Sequence, residues 1–255
     1  MAKITFKNVY LRIPLIGQSR LFQKKNEKKF TKENLGSSKE VVGNTVYSKI
    51  LDNLNFECVD GDNIALMGHN GSGKTTLLKV IAKIYHPSSG QIDIEGSVSS
   101  LLDVNSILNT DCTGYENIKL FWLHHNKSVD LNSLISSVEE FSELGDFLKM
   151  PVKIYSSGMS ARLLFSLTTF IKPDILLTDE GIAAGDEAFK KKSKRLMDEY
   201  LDSSKIKFFA SHSFDFIKKN CNKMFLMKKG SITIFNSIDE GLNYYNSSLY
   251  NSNID

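Results

Sequence analysis

One short segment of the chain combines glycines, a lysine and a threonine at spacings that suit a bound phosphate group. Residues 68–75 read Gly-His-Asn-Gly-Ser-Gly-Lys-Thr and fit the pattern G-x-x-x-x-G-K-[ST] at every fixed position. Glycines let the backbone curl so that N–H groups point at phosphate oxygens, and Lys74 and Thr75 can bind phosphate and Mg²⁺. The segment predicts a site for a nucleoside triphosphate with Mg²⁺. Its candidate residues are Gly68, His69, Asn70, Gly71, Ser72, Gly73, Lys74, Thr75 and Thr76.

Two carboxylates follow an apolar stretch about a hundred residues further along. Residues 173–178 read Pro-Asp-Ile-Leu-Leu-Thr, and Asp179 and Glu180 come next. Ligands bind at the carboxyl ends of parallel strands, where Asp179 can hold Mg²⁺ through water and Glu180 can polarise an attacking water. A solvated acidic strand end is the alternative, but the pairing with the glycine-rich loop favours phosphoryl chemistry.

Small polar residues precede a predicted helix at Ser156, Ser157 and Gly158. Backbone N–H groups and serine hydroxyls at a helix N-terminus can bind a phosphate oxygen. They also cap helices, and taken alone the segment is explained more simply by capping.

The elements around these residues alternate between strand and helix patterns. An apolar run at 64–67 precedes the glycine-rich loop, and a helical pattern follows it from Thr76 to Ile84. Alternation of this kind predicts a largely parallel sheet with flanking helices. Other strands are predicted at 3–13, 51–59, 91–96, 174–178, 206–210 and 223–227, and helical segments at 115–148, after Gly158, at 186–201 and at 214–220.

Composition is ordinary for a globular protein, with 255 residues, 41% hydrophobic, 24% charged and a net charge of +3. Such a charge gives little support for nucleic acid as the main partner. The cysteines at 58, 112 and 221 lack the spacing of a zinc site or disulfide framework. Because no apolar run is long enough to span a membrane and no signal peptide is recognisable, we expect a cytoplasmic chain.

The order of the motifs resembles the ATPase subunit of an ABC transporter: the glycine-rich loop, a helical insert, Tyr-Ser-Ser-Gly-Met, the strand ending in Asp-Glu, and Ser-His-Ser after another strand. This resemblance covers residues 46–230. It implies an α/β fold, namely a P-loop NTPase core of the ABC type with a mostly parallel sheet, an antiparallel β subdomain and an inserted α-helical subdomain. It treats residues 1–255 as one domain, with a basic insertion at 14–45, the helical subdomain at about 104–170 and a polar tail at 241–255.

The resemblance also implies roles for particular residues. Two copies would pair head to tail around two ATP molecules with Mg²⁺, and Ser156, Ser157 and Gly158 would act on the nucleotide of the other copy. His212 would contact the γ-phosphate, and Asp186 would lie in the contact between subunits. The catalytic set is then Glu180, His212 and Lys74, and the metal set is Thr75, Asp179 and Asp103.

Where the chain departs from the common family pattern, it resembles one branch of the family, the exporters of O-antigen, capsule or teichoic acid. Asp103 stands where the family normally has a glutamine, and Met159 follows the Ser-Gly pair. An aromatic ring usually stacks on adenine in this family. Tyr47 is the candidate here, Tyr10 is the alternative, and a core tyrosine remains an open interpretation.

These resemblances predict an ATP-hydrolysing subunit that exports a lipid-linked polysaccharide. Its partners would be a second copy of the chain and an integral membrane permease on the cytoplasmic side of the inner or cytoplasmic membrane, without nucleic acid. The alternatives are a soluble ABC ATPase that acts on nucleic acid or ribosomes, and a module that binds ATP without hydrolysing it.

Overall fold

The computed structural model describes residues 1–15, 38–42, 45–101, 108–124, 129–170, 172–179, 187–211 and 213–252. The strands are β1 (Lys3–Pro14), β2 (Ser38–Val42), β3 (Thr45–Val59), β4 (Asn63–Met67), β5 (Ser89–Glu95), β6 (Val98–Leu101), β7 (Ile175–Asp179), β8 (Ile206–Ala210), β9 (Lys223–Lys228) and β10 (Ser231–Phe235). The α-helices are α1 (Lys74–Ile81), α2 (Gly114–His124), α3 (Leu131–Ser142), α4 (Ser157–Phe170), α5 (Glu187–Ser203), α6 (Phe214–Asn220) and α7 (Ile238–Ser252).

A six-stranded sheet forms the centre of the molecule, in the order β10-β9-β4-β8-β7-β6. Five of its strands run parallel, and β10 joins β9 as an antiparallel edge strand. Strands such as β4 and β7 are continuous apolar runs, because a parallel sheet is covered on both faces. The prediction of a mostly parallel α/β sheet is therefore confirmed.

A second, antiparallel sheet has the order β2-β3-β1-β5. Phe6 of β1 stacks on Phe56 of β3 with ring centroids 4.4 Å apart, and Phe56 meets Phe225 of β9 edge-on at 5.1 Å. These rings belong to one buried core that both sheets share. The antiparallel subdomain thus packs directly against the strands that carry the glycine-rich loop.

The helices α2, α3 and α4 surround a core of their own. Two 3₁₀ turns, Gly145–Lys149 and Val152–Ile154, connect α3 to α4. Asp130 begins α3 by accepting a hydrogen bond from the Ser133 N–H at 2.9 Å, and Glu143 ends it in the left-handed conformation at φ 56°. The inserted helical subdomain is present as predicted, with breaks inside 115–148. Its buried residues are Ile118, Phe121, Leu134, Val138, Leu144, Leu148, Val152, Leu163 and Leu167.

The N-terminal insertion contains more strand than the sequence indicates. For residues 14–45 we predict a loop with a short helix or a basic amphipathic element. Pro14 instead ends β1, Ser38–Val42 forms β2, and β3 already begins at Thr45, six residues before the predicted strand. Residues 16–37, which carry most of the basic side chains, lie outside the described residues.

The C-terminal segment is also more ordered than its composition indicates. Residues 241–252 of the polar tail predicted at 241–255 form most of α7, which begins at Ile238, and residues 253–255 lie outside the described residues. Leu242 and Tyr245 are three positions apart, so they lie on one face of the helix, and both are buried against the sheet. The helix therefore packs against the sheet through an apolar face, although most of its residues are polar.

The three cysteines are unpaired. Burial raises the pKa of the Cys58 and Cys221 thiols to about 12, so both stay protonated and unreactive at neutral pH. No helix among the described residues is both long and apolar enough to cross a membrane.

Candidate nucleotide site

The glycine-rich loop follows β4 and turns into α1 through backbone angles that favour glycine. Gly68, Gly71 and Gly73 have φ values of 143°, 78° and 109°. A Cβ at position 68 would lie 2.3 Å from the Met227 carbonyl oxygen, and one at position 73 would lie 3.1 Å from the Ile50 carbonyl oxygen. Positions 68 and 73 are therefore restricted to glycine, both by the backbone conformation and by the close approach of two other strands.

Hydrogen bonds hold this loop from inside and from the β9–β10 turn. The Ser72 N–H donates to the His69 carbonyl at 3.1 Å, and the Gly230 N–H donates to the Ser72 carbonyl at 3.0 Å. Sequence reasoning missed the supporting turn. Its signal was the Lys-Lys-Gly stretch ending at Gly230, between two apolar runs that form an antiparallel hairpin.

Lys74 is the first residue of α1, and its side chain folds back over the loop. Its Nζ donates to the Gly68 carbonyl at 2.6 Å and to the His69 carbonyl at 3.3 Å. The ammonium group thus lies above the curled backbone, where N–H groups and the N-terminus of α1 favour an anion. Lys74 is placed to exchange these carbonyls for phosphate oxygens.

The predicted metal residues Thr75 and Asp179 meet in space although 104 positions separate them. The Thr75 hydroxyl donates to the Asp179 carboxylate at 2.7 Å. Asp179 ends β7, whose register pairs it with Ala210 of β8, and β8 lies beside β4. Because the strands are parallel, their carboxyl ends reach one sheet edge beside the loop.

The oxygen donors at this edge suit Mg²⁺. A hydroxyl and a carboxylate are hard ligands, and Mg²⁺ is commonly bound by one or two such groups together with phosphates and water. No cluster of three or more His, Cys, Asp or Glu side chains forms a self-sufficient metal cage in the described part of the chain. The donor set therefore fits a cation that arrives with a nucleotide.

Four predicted residues fall outside the described residues: Glu180, His212, Asp103 and Asp186. Glu180 follows Asp179 directly in the chain, and His212 lies between Ser211 and Ser213, just after β8. Their roles remain predictions.

The Ser156-Ser157-Gly158 segment lies at the N-terminus of α4, far along the chain from the glycine-rich loop. The Ser156 hydroxyl accepts a hydrogen bond from the Met159 N–H at 3.2 Å, so it caps the helix as the simpler interpretation requires. Ser156 and Ser157 are exposed, and a Cβ on Gly158 would meet nothing closer than Ser156 Oγ at 3.9 Å. The N-terminus of α4 thus presents an open surface.

The two tyrosines proposed for adenine lie on neighbouring strands. Tyr47 is half-buried in β3, opposite Pro14 of β1. The ring of Tyr10 lies 5.9 Å from both the Arg12 guanidinium carbon and the Lys49 Nζ. Both assignments to adenine stay predictions.

The parallel sheet, the glycine-rich loop and the Thr75–Asp179 contact define a phosphate-loop nucleotide-binding ATPase. A family model described as "ABC transporter" matches residues 51–183. The chain belongs to this family, as its motif order predicts.

Two curated relatives indicate the branch. The chain is 41% identical over 234 residues to the O-antigen export system ATP-binding protein RfbE of Yersinia enterocolitica, covering 91% of this chain and 97% of that protein. It is 37% identical over 204 residues to the teichoic acids export ATP-binding protein TagH of Bacillus anthracis, covering 80% of this chain but only 37% of TagH. The resemblance to polysaccharide exporters is confirmed, and these relatives give no support to the nucleic-acid alternative.

Two solved structures share the fold. The first, described as a dimeric post-hydrolysis state of the ATP-binding cassette MJ0796 bound to ADP and Pi, has a TM-score of 0.62 and 17% identity. It matches over 91% of this chain and 98% of that one. The second, described as an ATP binding subunit of an ABC transporter, has a TM-score of 0.65 and 15% identity over 94% and 92% of the two chains. The ABC-type ATPase fold is thereby confirmed.

Proposed function

We propose that this chain is the ATP-hydrolysing subunit of a transporter that moves a lipid-linked polysaccharide, such as O-antigen, capsule or teichoic acid, across the cytoplasmic membrane. The observation that carries the proposal is the match to an O-antigen export subunit over nearly the full length of both chains. The Thr75–Asp179 contact beside Lys74 supports nucleotide hydrolysis by this chain. We take residues 1–255 as one ABC ATPase domain.

Catalysis in this proposal is mostly positioning and neutralisation of charge. Lys74 binds the β- and γ-phosphate oxygens in exchange for the loop carbonyls that it now contacts. Thr75 and Asp179 hold Mg²⁺, which offsets phosphate charge when it is bound, and Asp103 can add a ligand through water. Glu180 orients the attacking water, and His212 contacts the γ-phosphate.

A second copy of the chain completes the site. Ser156, Ser157 and Gly158 act on the nucleotide that the loop of the other copy holds, and Asp186 contributes to the subunit contact. The exposure of the two serines and the open space at Gly158 support this role, because an N-terminus buried within its own chain could not reach a partner's nucleotide. Tyr47 stacks on adenine.

An integral membrane permease is the other partner. A cavity of about 580 Å³ lies between the end of α1, β6 and α2. Two of its lining residues, Ile84 and Leu120, are 55% and 47% exposed. Apolar side chains at the rim of a concave surface indicate a protein contact. We assign this surface to a cytoplasmic segment of the permease, and we propose that the chain lies on the cytoplasmic face of the membrane.

The test is polymer export in cells whose only copy of the chain is Lys74→Ala. We expect surface polysaccharide to fall to the level of a deletion strain while lipid-linked polymer accumulates inside, because the loop loses its phosphate-binding ammonium. Lys219→Ala, which removes an exposed lysine at the end of α6, is the matched control and should export normally.

Two results would contradict the proposal. One is native surface polymer in the Lys74→Ala strain. The other is co-purification of the native chain with DNA or ribosomes in place of an integral membrane protein, which would favour the nucleic-acid alternative.

A further inference from the structure

We propose that Tyr245, on the C-terminal helix α7, is a positioning residue for ATP hydrolysis. Its ring connects the glycine-rich loop to the segment that leads from His212 into α6. The inference rests on nucleotide hydrolysis at the proposed site but not on the identity of the exported polymer.

The Tyr245 ring contacts two other aromatic rings. The ring centroid of Tyr245 lies 6.3 Å from that of His69 with the planes tilted by 43°, and 6.3 Å from that of Phe214 in an edge-to-face arrangement at 85°. Both distances fall in the range in which aromatic pairs attract each other. His69 belongs to the glycine-rich loop, and Phe214 is two positions after His212. One side chain therefore contacts both the glycine-rich loop and the start of α6, about 145 positions apart in sequence.

The Tyr245 ring is held firmly enough to act as a support. It is 8% exposed and shares a buried cluster with Met67, the last residue of β4, and with Leu242 on its own helix. At Gly241 the helix approaches β9 so closely that a Cβ would lie 2.5 Å from the Met224 sulfur. Such close packing fixes the position of α7 relative to the sheet edge.

The position of His69 matters because its backbone organises the loop. The His69 carbonyl accepts hydrogen bonds from the Ser72 N–H at 3.1 Å and from the Lys74 ammonium at 3.3 Å. A shift of His69 would move the loop backbone and the lysine together. Small displacements of groups that hold a reacting phosphate lower the rate strongly, because hydrolysis depends on alignment.

The experiment compares four full-length proteins by ATP affinity and by steady-state hydrolysis, each corrected for its folded fraction. Tyr245→Leu fills much of the buried volume but removes the ring, and we expect kcat/KM about fivefold below the native value, the scale of one aromatic contact. Tyr245→Phe keeps the ring and should stay close to native. Tyr244→Leu removes the neighbouring ring, which contacts Phe235 of β10 at 5.3 Å, and should also stay close to native.

A double-mutant cycle with His69→Ala distinguishes positioning from general stabilisation. If Tyr245 acts through His69, the double variant loses about as much kcat/KM as the more severe single variant. The proposal is wrong if the losses of kcat/KM in the two single variants multiply in the double variant. It is also wrong if Tyr245→Leu has the native kcat/KM, or if Tyr245→Phe loses as much as Tyr245→Leu. A native chain that binds ATP without hydrolysing it would instead overturn the proposed function, and ATP affinity would then measure the effect of Tyr245.

Discussion

The conformation of the glycine-rich loop depends strongly on the glycine at position 68. Gly68 combines a φ of 143° with a carbonyl oxygen 2.3 Å from where a Cβ would stand. Both features come from the way β4 passes into the loop beside the end of β9. Lys74 and Thr75 can reach their partners only if this passage is kept.

We therefore predict that Gly68→Ala weakens ATP binding by at least about tenfold and lowers the free energy of unfolding by about 2 kcal/mol, through backbone strain and overpacking. Titration with a fluorescent ATP analogue and urea denaturation measure the two effects. Gly61→Ala is the matched control, since Gly61 also has a positive φ, of 91°, but nothing lies within 4 Å of its added Cβ. Equal losses in the two variants would show that strain, and not the Met227 contact, is decisive.

For individual residues, the sequence predicts those of the site better than it predicts the residues that hold them in place. The fixed spacing of Gly68, Lys74 and Thr75 and the strand end at Asp179 are local patterns, so they can be recognised without a structure. The Met227 carbonyl and the Tyr245 ring reach the loop from distant parts of the chain, and no local pattern encodes such contacts. The close approach to β9 gives Gly68 a second reason to be glycine.

Among the elements, the sequence missed three short strands, β2, β6 and β10. β6 carries two serines in its four residues, and Ser99 is nonetheless buried, with the Tyr200 hydroxyl 3.5 Å away. β10 reads Ser-Ile-Thr-Ile-Phe and is a five-residue edge strand, which follows the turn at Gly230 that the sequence reasoning also missed. α3 was predictable as helix because its buried residues, Leu134, Val138 and Ser142, repeat about once every turn.

The Asp174 carboxylate connects the starts of β6, β7 and β8 through hydrogen bonds and an ion pair. Asp174 accepts hydrogen bonds at 2.9 Å from the backbone N–H and from the hydroxyl of Ser97, and its other oxygen pairs with Lys205 Nζ at 2.6 Å. The bond from Lys205, followed by those from Ser97, lowers the pKa of Asp174 to about 2. Since the folded protein holds the ionised form more strongly than the unfolded chain does, this interaction stabilises the fold above pH 4 and is lost as the pH falls towards 2.

We predict that Asp174→Asn lowers the free energy of unfolding by about 1 kcal/mol at pH 7, a value reduced for the partial exposure of the pair. The difference from the native chain should shrink below pH 4. Urea denaturation at pH 7, 5 and 3 measures it. Asp146→Asn is the control, because its pair with Lys149 is exposed and should add little stability. A deficit in Asp174→Asn that stays constant from pH 7 to pH 3 would contradict the electrostatic explanation.

At the scale of the whole molecule, the proposed composite site combines two different surfaces of one chain. The loop and Asp179 lie at the edge of the parallel sheet, whereas Ser157 and Gly158 begin the helix that carries the core of the helical subdomain. Fold class and motif order were predictable because each depends on patterns within the chain. The pairing of these surfaces between two copies depends on an assembly, and for that reason it is best tested with mixed chains.

We predict that two inactive variants restore each other when they are mixed. Lys74→Ala disables the loop, and Gly158→Tyr places a large ring where the other copy would bind, at a position where an added Cβ meets nothing closer than Ser156 Oγ at 3.9 Å. Random pairing makes half of the dimers mixed, and each mixed dimer keeps one intact composite site, so about a quarter of the native ATPase rate should return.

Controls must show that each variant alone is folded and nearly inactive, and that Gly158→Tyr still binds ATP. A chain that carries both substitutions, mixed with the native chain, should form no intact site in its mixed dimers, because every composite site then contains one damaged half. If the two single variants regain no activity together, hydrolysis takes place within one chain and the head-to-tail arrangement is wrong. If they regain it, the loop at Gly68–Thr75 and the N-terminus of α4 form one active site across two copies.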